Sequence, residues 1–433
     1  MSTLSGNLKI ALVHDWILGL GGAERVLKVL HEMFPKAPVY TFFYNKEFTD
    51  KFLPEAKIKS SFLQKFHRLK LINHKLFLPL LPIAAESFDL SQYDLVISSS
   101  IAFSKGLILK PKTKHICYCY SPTRFLWDWH NEYNKKQGWS QKIVRHFLRI
   151  WDRSAAERVD EFVAISKNVQ QRIKKYYNRD SVVIYPPTEN LVASQIQPFQ
   201  YVSPAPAAGL TRAEVGVCSQ LQNNYTARNQ ATLNFRATSK AVSATLLGDI
   251  GNSRDLSSLL HIGGYFLVVS RLFPHKNIDI TIQAFNKLEL PLVIVGSGPE
   301  FGKLKSMVEN KSLIKLVGNV SDEDLAGYYE KCKAFIMPQE EDFGLAPLEA
   351  MQFGKPVLAL KKGGALEYIE EGINGEFFED PHPAVLADGV RRLNENYENY
   401  SVEKIKKTAE KFSRQRFETE IKELIIRLGY SKT

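Results

Sequence analysis

Short apolar runs alternate along this chain with longer stretches whose apolar residues recur at helical spacing. In the first half the apolar runs fall at 10–13, 39–43, 95–98, 115–118, 162–165 and 182–185. Runs this short, bounded by turn residues, predict buried strands, and the helical patterns running to Phe34 and over about 141–159 predict helices between them. Pro186-Pro187 closes that half. In the second half the strands are predicted at 265–270, 291–295, 313–317, 334–337 and 356–359, with helices at 277–288, 300–309, 321–331 and 345–353. A charged helical pattern follows at about 402–428. Strands separated by helices predict parallel sheets, so two α/β domains are expected.

The segment 190–262 does not share this pattern. Its eight charges include a single lysine, and it is rich in Ser, Ala, Asn, Gln and Thr. The three prolines within 195–208 read as linker, and 215–247 as weak strands. The expected division is therefore 1–186, an atypical insert or linker at 190–262, 264–410, and a C-terminal helix at 411–433 that crosses back to the first domain.

Composition narrows the function classes. At 433 residues the chain is too long for one ordinary core, and 44% hydrophobic residues is a globular content. No apolar run reaches membrane-spanning length and the first residues do not form a secretory signal, so a cytoplasmic location is expected. Four cysteines without metal-ligand spacing suit a reducing compartment, and Cys117-Tyr-Cys119 reads as strand. The net charge of +11 suits nucleic acid, an anionic membrane surface or anionic substrates. No nucleic-acid module is present. Six basic residues and no acidic one lie between Lys57 and Leu80, interleaved with Phe62, Leu63, Phe66, Leu69 and further apolar residues. That pattern suits an anionic membrane surface, and equally a core-packing helix with a solvated basic face.

The chemistry concentrates at four places. Glu341-Asp-Phe-Gly-Leu-Ala-Pro-Leu-Glu349 sets two carboxylates eight residues apart across a glycine-containing turn that enters a helix near Gly344 or Leu345. Carboxylates suit hydroxyl donors, and backbone N–H groups at a helix start suit an anion. The same pair would also suit a surface loop and a solvated helix face. Arg271 and Lys276 follow the apolar run at 265–270, where an arginine fork and a lysine point charge suit a diphosphate. Gly21-Gly22 lies at a strand-to-helix turn, which lets a phosphate approach backbone donors or simply makes a tight turn. The fourth is Ile116-Cys-Tyr-Cys-Tyr-Ser-Pro-Thr-Arg-Phe-Leu-Trp-Asp128. Asp322-Glu-Asp324 has the form of a metal-binding Asp-x-Asp pair, but Ser321 with Asp324 three residues on reads as a helix cap, and no metal site is expected.

Together these motifs resemble the retaining glycosyltransferases of family 4 (glycosyltransferase group 1). The resemblance covers roughly 8–186 and 264–430 and is nearest to O-antigen and exopolysaccharide mannosyltransferases. It implies GT-B architecture: two Rossmann-like domains with parallel sheets facing across a cleft. It implies a nucleotide-diphosphate sugar as donor, GDP-mannose favoured, and no cofactor or metal. By the same resemblance Glu341 contacts the transferred sugar and Glu349 the ribose. Phe343, Gly344 and Leu345 offer backbone N–H groups, the turn holding Val320 meets the base, and Gly21-Gly22 closes over the donor. Arg271 and Lys276 hold the diphosphate and, with Glu341 and Tyr120, form the catalytic set. Tyr120, Arg124 and His130 fall on the acceptor side, facing a glycan or lipid-linked acceptor. Relatives commonly carry a histidine where this chain has Tyr120; a tyrosine titrates near 10 and is a poor base at neutral pH. Arg124 and Asp128 are either acceptor contacts or structural partners, and His130 is either a substitute base or a loop histidine. A nucleotide-sugar epimerase of the same fold and a non-catalytic nucleotide-sugar-binding scaffold remain alternatives to the transferase.

Overall fold

The computed structural model describes residues 8–68, 78–128, 139–188 and 264–430. The expected insert at 190–262, the weak strands at 215–247, His130 and the centre of the basic segment at 57–80 lie outside the described residues.

Two all-parallel sheets form the frame. The first has seven strands: β1 (Ile10–Ile17), β2 (Val39–Tyr44), β3 (Ile58–Ser60), β4 (Leu95–Ser100), β5 (Lys114–Cys119), β6 (Glu161–Ala164) and β7 (Val182–Val183). Their spatial order is β3-β2-β1-β4-β5-β6-β7. The second has six: β8 (Tyr265–Val269), β9 (Leu292–Val295), β10 (Ile314–Gly318), β11 (Cys332–Met337), β12 (Val357–Leu360) and β13 (Gly375–Phe378), in the order β10-β9-β8-β11-β12-β13. Strands covered on both faces read as unbroken apolar runs, and Ala11, Leu12 and Val13 of β1 and all of β12 are buried accordingly.

The charged pattern at 402–428 is two helices, Val402–Glu410 and Arg414–Arg427, not one. Phe412 ends the first against Tyr185 and Phe343, and Ser413 caps the second through the Arg416 amide. Helix Arg414–Arg427 lies against the first sheet, where Phe417 meets Tyr118 edge-on at 5.6 Å and Tyr430 Oη donates to the Asp94 carbonyl at 2.7 Å. Thr188 N donates to Phe412 O at 2.9 Å, so the chain passes between the lobes in two adjacent strands of backbone. No helix among the described residues is long and apolar enough to cross a membrane.

Candidate functional site

In each sheet the strand order reverses beside the lobe's first strand. β1 has β2 on one side and β4 on the other; β8 has β9 and β11. Such reversals leave a crevice outside the carboxyl ends of the strands, where open α/β sheets bind ligands. Several buried polar residues lie at these two places, among them His14, Asp15, Lys276 and Glu349.

In the first lobe β1 carries buried His14 and Asp15 toward Gly21-Gly22. The Asp15 carboxylate accepts from the N–H groups of Ile101 (2.6 Å), Ala102 (2.9 Å), Phe103 (2.7 Å) and Ser104 (2.9 Å), which fixes the turn after β4. His14 Nδ1 is 3.0 Å from Ser99 Oγ, which is 2.9 Å from Tyr120 Oη. Tyr120 Oη donates to the Ala23 carbonyl at 3.0 Å and so ties the end of β5 to the helix Gly22–Met33. Burial pushes the Tyr120 phenol well above its usual pKa, against the pull of the Ser99 hydrogen bond. The phenol is therefore a fixed donor. His14 Nε2 is buried without a hydrogen-bond partner, 3.9 Å from Glu24 Oε1. Gly21 precedes the helix in extended conformation, and a methyl group on Gly22 would stand 3.3 Å from Leu345 Cδ1 of the other lobe.

In the second lobe Arg271 is exposed, its guanidinium 5.8 Å from the Phe273 ring. Lys276 instead is buried in the single turn Pro274–Lys276 and donates to Glu341, which also accepts from Gln339 Nε2 at 2.9 Å. Burial alone would raise the Glu341 pKa, but the charge and hydrogen bond of Lys276, with Gln339 and Arg124, more than offset it and hold Glu341 below its ordinary value. Beside them, burial and then the Lys276 charge push His275 down to about 4, so its imidazole is neutral at pH 7. Gly344 caps the helix Leu345–Gln352 at φ 89°, where a side chain is strained, and a methyl group there would also lie 2.9 Å from Tyr368 Oη. Phe343 is buried in a ring cluster with Tyr185, Tyr368 and Phe412. Glu349, in the second turn of that helix, is buried and accepts from Tyr329 Oη at 2.8 Å. Val320 is half-buried in the turn after β10, and Ser321 caps the next helix through the Asp324 amide as the sequence predicts.

Polar contacts then join the lobes. Arg25 Nη2 donates to Asp322 Oδ1 at 2.9 Å. Arg124 and Arg172 both donate to Asp342, and Arg172 also pairs with Asp128, which accepts from Tyr176. Arg124 thus reaches across the cleft, while Asp128 stays within its own lobe. Glu367 accepts from the N–H groups of Lys167 (2.9 Å) and Asn168 (3.1 Å), capping a first-lobe helix from the second lobe. Beside these pairs lies a cavity of 640 Å³ lined in part by Arg124, Arg172, Lys175, His275 and Lys362. No cluster of three potential metal ligands occurs among the described residues. Asp322 and Asp324 are engaged by Arg25 and Ser321 respectively.

The structure brings Gly21 and Gly22 to the same cleft as Lys276, Glu341, Gly344 and Leu345. Sequence reasoning missed His14, Glu24, Arg25, Arg172 and Asp342. The readable signal was the pair His14-Asp15 inside an otherwise apolar strand, since a buried polar pair needs a purpose.

Residues 20–189 match the family Glycosyltransferase Family 4, and residues 263–412 match Glycosyl transferases group 1. An uncharacterized glycosyltransferase of Methanocaldococcus jannaschii is 32% identical over 135 residues, 30% of this chain and 38% of that one. The O-antigen chain mannosyltransferase C of Escherichia coli is 27% identical over 31% of this chain and 38% of its own. These alignments span about two fifths of the relatives' own length. The crystal structure of HepE from Anabaena in complex with UDP-glucose superposes with a TM-score of 0.60 at 17% identity, covering 97% of this chain and 100% of that one. The fold is therefore GT-B.

Proposed function

We propose, for a chain whose two lobes belong to Glycosyltransferase Family 4 and to the group 1 glycosyl transferases, that it transfers a hexose from a nucleotide-diphosphate sugar to a glycan or lipid-linked acceptor in cell-surface polysaccharide synthesis. The observation that carries this reading is the meeting of Gly22 with Leu345 across the cleft, beside the Lys276–Glu341 pair. A diphosphate placed there would find N–H groups of the Leu345 helix start and the cations of Arg271 and Lys276. Those cations would also stabilise the charge that grows on the departing nucleoside diphosphate. Glu341, held ionised, suits a sugar hydroxyl, and Glu349 a ribose hydroxyl.

Mannose is favoured as the sugar, in keeping with the mannosyltransferase among the relatives; the UDP-glucose bound by HepE makes uracil the competing base. The reaction would retain anomeric configuration, with same-face attack and the leaving phosphate taking the acceptor proton. Tyr120, fixed as a donor, then orients the Gly-Gly loop and takes no proton. Closure of the lobes would exclude water, so that sugar reaches the acceptor and not solvent.

A calorimetric panel of GDP-mannose, UDP-glucose, UDP-N-acetylglucosamine, GDP and UDP tests this. Preferential binding of GDP-mannose is expected. Preference for a uridine nucleotide would replace the sugar, and failure to bind any of the five would overturn the transferase reading.

A further inference from the structure

The cavity between the lobes, at 640 Å³, has the size of a small-molecule site, and its walls say which chemistry it suits. The helix Lys167–Tyr177 of the first lobe contributes Arg172 and Lys175, and the segment after β5 contributes Arg124 and Asp128. Loops at the carboxyl ends of β8, β11 and β12 in the second lobe contribute His275, Glu340 and Lys362. Four cations thus stand against two carboxylates, because the His275 imidazole is neutral at pH 7. The cations are of two kinds. Arg124 and Arg172 are engaged by Asp342, and Arg172 by Asp128 as well. Lys175 and Lys362 are exposed on opposite lobes, and neither forms an ion pair among the described residues, although their neighbours Lys174 and Lys361 pair with Asp180 and Glu379. Lys175 lies only over the Tyr176 ring, 5.6 Å from its centre. The aliphatic lining is Leu360 and Pro381, too little to seat a lipid chain.

We infer that this cavity receives the acceptor of the proposed transfer, and that the acceptor carries a phosphate group held by Lys175 from one lobe and Lys362 from the other. Position supports the role. His275 and Asn277 of the lining flank Lys276 in the chain, and Glu340 precedes Glu341, so the cavity adjoins the Lys276–Glu341 pair. An acceptor seated there lies beside the carboxylate that suits the transferred sugar. Charge selects the group. A neutral glycan gains nothing from two ammonium groups that lack partners, and a single carboxylate is satisfied by one. A phosphate ester carries close to two negative charges near pH 7 and three acceptor oxygens, enough for both. Because the two lysines belong to different lobes, the phosphate also adds a contact across the cleft. The inference rests on the transferase reading, since it supplies that reaction's acceptor; neither lysine is among the residues proposed to hold the donor, so the two are tested apart.

Calorimetric titration of the full chain tests it, with mannose 6-phosphate, mannose and inorganic phosphate as probes, in the absence of nucleotide and with the nucleotide chosen by the donor panel at saturation. Mannose 6-phosphate is expected to bind about tenfold or more tightly than either mannose or inorganic phosphate, and nucleotide should not displace it. The double variant Lys175→Ala, Lys362→Ala should bind it about tenfold more weakly, with melting temperature and nucleotide affinity at their wild-type values. The double variant Lys175→Arg, Lys362→Arg should retain most of the affinity. Displacement by nucleotide would place the sugar phosphate in the donor site and overturn the inference. So would mannose or inorganic phosphate binding as tightly as mannose 6-phosphate, or an alanine variant that binds like wild type. If nucleotide binds and mannose 6-phosphate does not, this inference fails while the donor reading stands. If mannose 6-phosphate binds through the two lysines and no nucleotide does, the donor reading fails and takes the acceptor role with it.

Discussion

Arg271 and Lys276 leave the same strand end five residues apart and meet different surroundings. Lys276 is buried on Glu341, whereas Arg271 stands exposed against Phe273. Arg271→Ala should therefore leave the fold intact and weaken nucleotide binding by about 1.5–3 kcal/mol, the range for a charge-assisted hydrogen bond; unchanged affinity in calorimetry would remove Arg271 from the diphosphate. Acid sensitivity can be assigned to another residue. His115 is fully buried with Nε2 2.8 Å from Ser98 Oγ, and burial pushes its pKa down to about 4, opposed by Asp160. Its unfolded value is about 6.5. Between those values the unfolded chain binds the proton and the folded one does not, so stability falls as pH falls. From pH 7 to pH 5 this amounts to about 2 kcal/mol. Urea unfolding at the two pH values should show a loss about 2 kcal/mol smaller in His115→Gln than in the wild type, the remainder belonging to other histidines with depressed pKa such as His275.

The regular elements were readable because a buried parallel strand and an amphipathic helix each leave a periodic trace. β8 at Tyr265–Val269 and the helix Ile278–Leu288 lie within a residue or so of the expected bounds. Elements too short for a period were missed: β3 has three residues, and the helix Lys46–Phe52 has seven, started by an Asn45 cap. The helix Lys167–Tyr177 also escaped, although its Ser166 cap is a local signal. The Glu341–Glu349 turn was legible because its spacing is local. Arg172 and Asp342 lie 170 residues apart, and nothing local couples them. The segment after β5 shows how non-local pairing holds an element without secondary structure. Buried Asp152 accepts from Lys105 Nζ (2.6 Å), Thr123 Oγ1 (2.8 Å), Trp127 Nε1 (2.8 Å) and Tyr177 Oη (2.8 Å). That hub fixes the stretch carrying Arg124 and Asp128. Asp152→Leu should cost about 3–5 kcal/mol, because it strands the Lys105 charge in the core. The double variant Lys105→Met, Asp152→Leu should recover part of that loss in denaturant titrations; a double variant as unstable as the sum of its singles would show that the ion pair is not the hub's main term.

At the scale of the molecule, the two lobes meet through a small set of polar contacts at the cleft and a ring cluster where the chain crosses. Tyr185, Phe343, Tyr368 and Phe412 cluster where the chain passes between lobes, Tyr185 stacked on Phe343 and the other pairs edge-on, and Arg416 covers Tyr185 while donating to its carbonyl at 2.7 Å. This cluster holds the lobes together by burying ring surface between them. The directional contacts fix how the lobes are oriented in this structure. Asp342 is central among them: it adjoins Glu341 in sequence, and it accepts from both Arg124 and Arg172 of the opposite lobe. If the proposed transfer holds, a residue that clasps the lobes should affect the fate of the sugar more than the capture of the donor. Asp342→Asn keeps the shape but gives up charge, and losing about 1.4 kcal/mol of cross-lobe attraction is a tenfold shift in the ratio of open to closed molecules. The residues proposed to hold the nucleotide are untouched by this change, so nucleotide affinity should change little. Water should enter the cleft more often, and the ratio of donor hydrolysis to transfer should rise by up to about tenfold. Measuring free sugar and glycosylated acceptor in one reaction separates the possibilities. A raised ratio with unchanged nucleotide binding identifies Asp342 as the clasp. A reduced transfer rate with an unchanged ratio would mean instead that Asp342 acts on Glu341 within its own lobe, and that closure is governed elsewhere.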